Sequence, residues 1–175
     1  MISNTVRDAL NAQINLEFSS AYAYLAAAAH FEAASLPGFA AWMRKQYEEE
    51  ITHAMRLFDH MHDRGGRVAL AAIAEPKADF AKPGDAFQMA LGHEQKVTAS
   101  IHNLYALAAK ENDYATQTML QWFINEQVEE EKNVGQVLDW LKMAGDSPVA
   151  VLMLDQKLGQ RGGGAAEAAA EPEAA

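Results

Sequence analysis

Four stretches of this chain carry apolar residues in the alternating three- and four-residue spacing that draws one stripe along an α-helix. Each stripe is broken near its middle by a glutamate. The first reads Leu10, Ile14, Glu17, Ala21, Tyr24, Ala28, Phe31, and the second Met43, Tyr47, Glu50, Ala54, Leu57, Met61. The third is Phe87, Leu91, Glu94, Thr98, Ile101, Tyr105, Ala108. The fourth, Leu120, Phe123, Val134, Val137, Leu141, passes through Gln127 and Glu130 in "FINEQVEEEKNV". Such a stripe is the face a helix turns to the core, and glutamate is rarely buried. One interruption is an ordinary solvated position. Four at the same level of four helices point to carboxylates that meet inside.

Stops between the stripes set the architecture. The first helix, α1, is expected over about residues 4–34 with Asn4 as its N-cap, ended by "SLPG". The second, α2, covers about 38–63 and stops at Gly65-Gly66; α3 covers about 85–110. "ENDY" turns tightly into α4, about 113–144, and "VAVLMLDQKL" makes a short fifth helix, α5. Between α2 and α3 lies "RVALAAIAEPKADFAKPG", which has prolines and no helical stripe. Two short turns and one long crossover describe an all-α four-helix bundle with a short C-terminal helix. Its helices would be about 40 to 50 Å long at 1.5 Å per residue. Strand signals are almost absent, and no helical repeat of solenoid length recurs. Residues 1–160 therefore read as one domain, and residues 161–175, low in complexity, as a disordered tail.

Carboxylates gathered in a poorly solvated core raise one another's pKa, and cations are the natural compensation. His53 lies three residues after Glu50 and leans over the same patch of helix. An imidazole beside hard oxygens suits Fe, Mn or Zn better than Ca or Mg. The expected arrangement is a pair of ions about 3.5 to 4 Å apart. Glu50 and Glu94 would bridge them, with Glu17 and His53 on one ion and Glu130 on the other; Gln127 would stand beside the pair or hold a water. His30, His60, His62, His93 and His102 lack that context and read as surface or packing residues. A net charge of -10 argues against nonspecific nucleic-acid binding. No apolar run is long enough to span a bilayer, and "MISNTVRDAL" has no signal-peptide pattern. With no cysteine there is no disulfide framework or thiolate metal site, so a cytoplasmic protein is expected.

Across residues 1 to about 160 the sequence resembles the non-haem bacterial ferritins, in "NLEFSSAYAYLA", "EEEITHAMRLFDH", "GHEQKVTASIHNLYALA" and "FINEQVEEEKNV". Ferritin-like di-iron proteins carry Glu-x-x-His on two helices. Here only Glu50-Ile-Thr-His53 fits, and α4 offers Gln127-Val-Glu-Glu130 instead. Bacterioferritins place a haem-ligating methionine directly after the α2 glutamate, where this chain has Ile51, so no haem is expected. Rubrerythrins add a cysteine-ligated iron domain, which this chain cannot form. The resemblance implies a ferroxidase that oxidises Fe(II) with dioxygen or peroxide at a di-iron centre. Fe(III) would then be stored as a mineral core inside a homo-oligomeric 24-mer shell. It also implies a third iron site at Glu49, Glu126 and Glu129, and a place for Tyr24 beside the irons as hydrogen-bond or one-electron donor. Trp122 is expected to pack nearby. The alternative is a di-metal redox enzyme that stores nothing, such as a peroxidase or a manganese catalase.

Overall fold

The computed structural model describes residues 2–160, and the expectation for residues 161–175 lies outside them. Five α-helices follow in order: α1 Asn4–Ala33, α2 Pro37–Asp63, α3 Pro83–Lys110, α4 Tyr114–Ala144 and α5 Pro148–Gly159. Among the described residues there is no strand. The cap of α1 is Ser3 rather than Asn4: its hydroxyl accepts from the Val6 amide at 3.3 Å, one residue earlier than the sequence suggested. Prolines open α2, α3 and α5, where a fixed φ and a missing N–H do no harm. Thus Pro37, expected to help end α1, instead begins α2. Ser35 and Asn112 take up the left-handed backbone of the two short turns, at φ 59° and 57°.

α1 packs along α2, α3 along α4, and α1 against α3. Returning from the end of α2 to the start of a parallel α3 means covering about 40 Å. Residues 64–82 do so without regular structure. The crossover is pinned to α1 by Asn11, whose amide donates to the Arg67 carbonyl at 3.1 Å and accepts from the Ala69 amide at 2.8 Å. Leu70 and Ile73 on this segment stay exposed.

Two apolar clusters fill the bundle. One gathers Phe31, Phe39, Met43, Phe87, Val134 and Val137; the other gathers Val6, Leu10, Ile14, Leu57, Met61, Ile101, Leu120 and Phe123. Between them run Glu17, Glu50, Glu94, Gln127 and Glu130, all buried. The stripes on α1 and α4 face inward as read, but two others shift. On α3 the buried line is Ala90, Glu94, Val97, Ile101, Leu104, Ala108, and Leu91, Thr98 and Tyr105 sit at its shoulder; on α2, Gln46 is more buried than Tyr47.

α5 closes one end, against α2 and α4. Leu36 at the α2 N-cap has no side chain able to cap. Asp155 of α5 supplies the missing acceptor, taking the Phe39 amide at 2.8 Å. The approach is possible because residue 38 is glycine: a Cβ there would lie 1.7 Å from the Asp155 carbonyl oxygen. Gly38→Ala should therefore undock α5, and Asp155→Ala should lower stability by about 1 to 2 kcal/mol. Chemical denaturation checks both, with circular dichroism reporting the lost helix in the first variant.

Candidate metal centre

α1, α2, α3 and α4 each bring a glutamate to one level, and the side chains there are almost completely dry: Glu17, Glu50 and Glu94 are 0 % exposed, His53 2 % and Glu130 3 %. Glu17, Glu50 and His53 each offer a ligand atom within 4.8 Å of one another; His53, Glu126 and Glu130 form a second such group. His53 is common to both. Its Nδ1 lies 3.9 Å from Glu50 Oε2, and its Nε2 lies 3.9 Å from Glu126 Oε1. The three-residue spacing of Glu50 and His53 on α2 stacks them on one face. Trp122 meets His53 edge-on with ring centroids 5.4 Å apart, so its role is packing, and Arg56 lies 4.2 Å above the indole.

Glu94 joins neither group, and both of its oxygens meet hydrogen-bond donors. Tyr24 donates its hydroxyl to Glu94 Oε1, and Gln127 Nε2 reaches Oε2 at 3.3 Å. Two further amides, which the sequence reading missed, serve the other carboxylates. Gln13 Nε2 donates to Glu17 Oε1 at 2.7 Å, and Gln46 Nε2 to Glu130 Oε2 at 2.7 Å. Each of these glutamines sits four residues before a stripe glutamate, one turn away on the same face, and that spacing was the available signal.

What remains without a hydrogen bond is informative. Glu17 Oε2, both oxygens of Glu50, His53 Nδ1 and Gln127 Oε1 are buried with no other partner, the Glu17 and Glu50 carboxyls facing each other closely enough to share a proton. Buried polar atoms are almost always satisfied, so acceptors converging in this way fit a cation. The electrostatics agree. Burial pushes the Glu50 carboxyl well above its ordinary range, and the charges of Glu17 and Glu94 push it further. Glu130 rises to about 9 through burial and the Glu94 charge; Glu94 rises to about 7 through burial, held back by Tyr24 and Gln127. Burial and Arg56 lower His53 to about 4, which leaves a neutral imidazole able to bind a metal.

Of the residues proposed for a third ion, Glu126 stands nearest, half-buried and within reach of His53 and Glu130. Burial raises its carboxyl, and the charges of Glu129 and Glu49 add to that. Glu49 is half-buried and 3.8 Å from Lys45; Glu129 is exposed.

The pH dependence of the metal-free protein follows from these shifts. An unfolded glutamate loses its proton near 4.5, whereas folded Glu130 keeps it to about 9 and Glu94 to about 7. The folded state therefore binds more protons across that span and loses stability as pH rises. Depressed histidines (His53, His60 and His93) act oppositely, but only below their unfolded value of 6.5. The melting temperature of metal-free protein should thus fall from about pH 6.5 to 9, and Glu130→Gln should flatten the slope. A flat wild-type profile in calorimetry would contradict the carboxyl geometry.

Comparison with known proteins gives a consistent set of likenesses. A family model described as a ferritin-like domain matches residues 7–144. Bacterial non-heme ferritin of Staphylococcus aureus is 37 % identical over 161 residues, covering 92 % of this chain and 97 % of that one. The same-named protein of Staphylococcus saprophyticus is 38 % identical, covering 92 % and 96 %. An open-pore ferritin from the hyperthermophilic archaeon Archaeoglobus fulgidus superposes with a TM-score of 0.89 at 44 % identity, covering 91 % of this chain and 98 % of its own.

Proposed function

The chain belongs to the ferritin family, and from that premise we propose that it is an iron-storage ferroxidase. Fe(II) is its substrate. Two ions enter the buried layer, one toward Glu17, Glu50 and His53, the other toward Glu130, with Glu94 and Gln127 beside it. Two Fe(II) together give up two electrons, to dioxygen, which takes two protons and leaves as hydrogen peroxide, or to peroxide, which takes two protons and leaves as water. Fe(III) moves on to a mineral held in a 24-mer shell. The observation that carries this reading is the set of unpartnered buried acceptors on Glu17, Glu50 and His53. They need a cation, and the protein supplies none of its own: no Lys or Arg is buried among the described residues. Iron fits better than calcium because one donor is an imidazole.

The protein's own groups prepare the site in three ways. Gln13, Gln46 and Gln127 each hold one carboxylate oxygen, so the remaining oxygens keep their orientation before the metal arrives. Carboxyls that hold protons in the empty layer release them as Fe(II) binds, so uptake strengthens with rising pH. Tyr24, hydrogen-bonded to Glu94, fixes that carboxylate and stands where it can donate an electron. Glu126, with Glu49 and Glu129, forms the outer iron site through which product passes. No helix among the described residues is long and apolar enough to cross a membrane, consistent with a cytoplasmic store. Exposed Val149, Leu152 and Met153 on α5, and Leu70 and Ile73 on the crossover, suit contacts between copies in the shell.

Size-exclusion mass together with iron counted per chain tests the storage reading. A large shell holding far more than two irons per chain supports it. A small oligomer holding about two favours the non-storing redox enzyme. Within the site, His53→Ala and Glu94→Ala should abolish rapid Fe(II) oxidation without dissolving the shell. Glu129→Ala should still oxidise the first two irons but change oxygen stoichiometry or later turnover. Gln127→Glu should keep the first turnover yet slow regeneration, because an added negative charge holds Fe(III) more firmly; repeated Fe(II) additions followed by stopped-flow absorbance read this directly.

A further inference from the structure

Gln127 shares Glu94 with Tyr24, and its amide has two possible orientations that differ only in which atom faces which neighbour. The surroundings select one. Nε2 lies 3.2 Å from the Glu94 carbonyl oxygen, 3.3 Å from Glu94 Oε2 and 3.3 Å from Thr98 Oγ1. The first two are acceptors in any state of ionised Glu94. Thr98 is different, because a hydroxyl accepts or donates as its neighbours demand. Its proton is committed elsewhere: Thr98 Oγ1 donates to Glu131 Oε1 at 2.6 Å. With that proton directed at Glu131, the Thr98 oxygen faces Gln127 with lone pairs only. The amide nitrogen must turn toward α3, and Oε1 is left buried with no partner.

We propose that Thr98 and Glu131 are positioning residues that lock Gln127 with its carbonyl oxygen free, ready to serve the second Fe(II) as a neutral oxygen donor. The proposal rests on the ferroxidase reading above. Neither residue belongs to the buried layer. Both are half-buried and line a cleft of about 280 Å³ on the outer side of α3 and α4, with His102, Ile124 and Val128. Substitution there changes no side chain of the carboxylate layer, but loss of Glu131 also removes a charge that raises the Glu94 carboxyl, so Thr98→Val is the variant that isolates the hydrogen bond. Removing Glu131 frees the Thr98 hydroxyl to rotate and donate toward Gln127, whose amide can then turn the other way and accept through Oε1. Removing the Thr98 hydroxyl loses the lone pairs outright.

Anaerobic Fe(II) titration of the assembled protein by calorimetry tests this. Wild type should bind two ions with distinct affinities. Thr98→Val and Glu131→Ala should each weaken the second ion by about three- to ten-fold and leave the first unchanged. Thr98→Ser, which keeps the hydroxyl, should restore the wild-type second affinity. Wild-type affinities in both Thr98→Val and Glu131→Ala would overturn the assignment, as would equal weakening of both ions, which is what a general loosening of the bundle produces. A wild type that takes up no pair of Fe(II) would instead overturn the ferroxidase reading itself.

Discussion

Mutual repulsion among dry carboxylates is the constraint around which the rest of this molecule is arranged. Glu17, Glu50, Glu94 and Glu130 are each 3 % exposed or less, and among the described residues no Lys or Arg is buried with them. Such a layer is unfavourable by itself, since a buried unpaired charge costs several kcal/mol. The bundle tolerates it because two apolar clusters, one on each side, hold the helices together whether or not the layer is filled. In the empty state protons on the carboxyls take the place of cations, and the same dryness, with the Arg56 charge, keeps the proton off His53. Stability supplied at the ends is spent on a reactive middle.

The sequence showed this layer because it violates a pattern. An amphipathic helix makes a strict statement about which positions are dry, so a glutamate on the stripe of all four helices is conspicuous. Glu17, Glu50, Glu94, Gln127 and Glu130 were all found that way, and the structure buries every one. The long crossover and the α1–α2 turn were legible from prolines and glycines, and the α3–α4 turn from Asn112 and Asp113. Helix starts were read one or two residues off, because Pro37 and Pro83 read as breakers and act as first residues of helices.

Other features were hidden for a physical reason. A glutamine is neutral and common on helix surfaces, so Gln13 and Gln46 attract no notice until their partners are placed. The α3 stripe was read with its three- and four-residue steps in the wrong order: Phe87, Glu94, Ile101 and Ala108 are buried as read, but between them lie Ala90, Val97 and Leu104 rather than Leu91, Thr98 and Tyr105, one residue further round the helix. The Asp155 cap joins residues far apart in the chain, and no local pattern announces it. Contacts that close a helix end from another element are fixed by tertiary geometry alone.

The polar layer also divides the hydrophobic interior, and this has an evolutionary side. Phe31, Phe39 and Phe87 on one side share no cluster with Leu10, Ile101 and Leu120 on the other. Substitutions that are far apart and share no partners act additively. Each half can therefore repack on its own, exchanging large for small side chains without demanding a matching change across the divide. Descendants of such a chain are free to vary both ends of the bundle independently, provided the waist stays as it is.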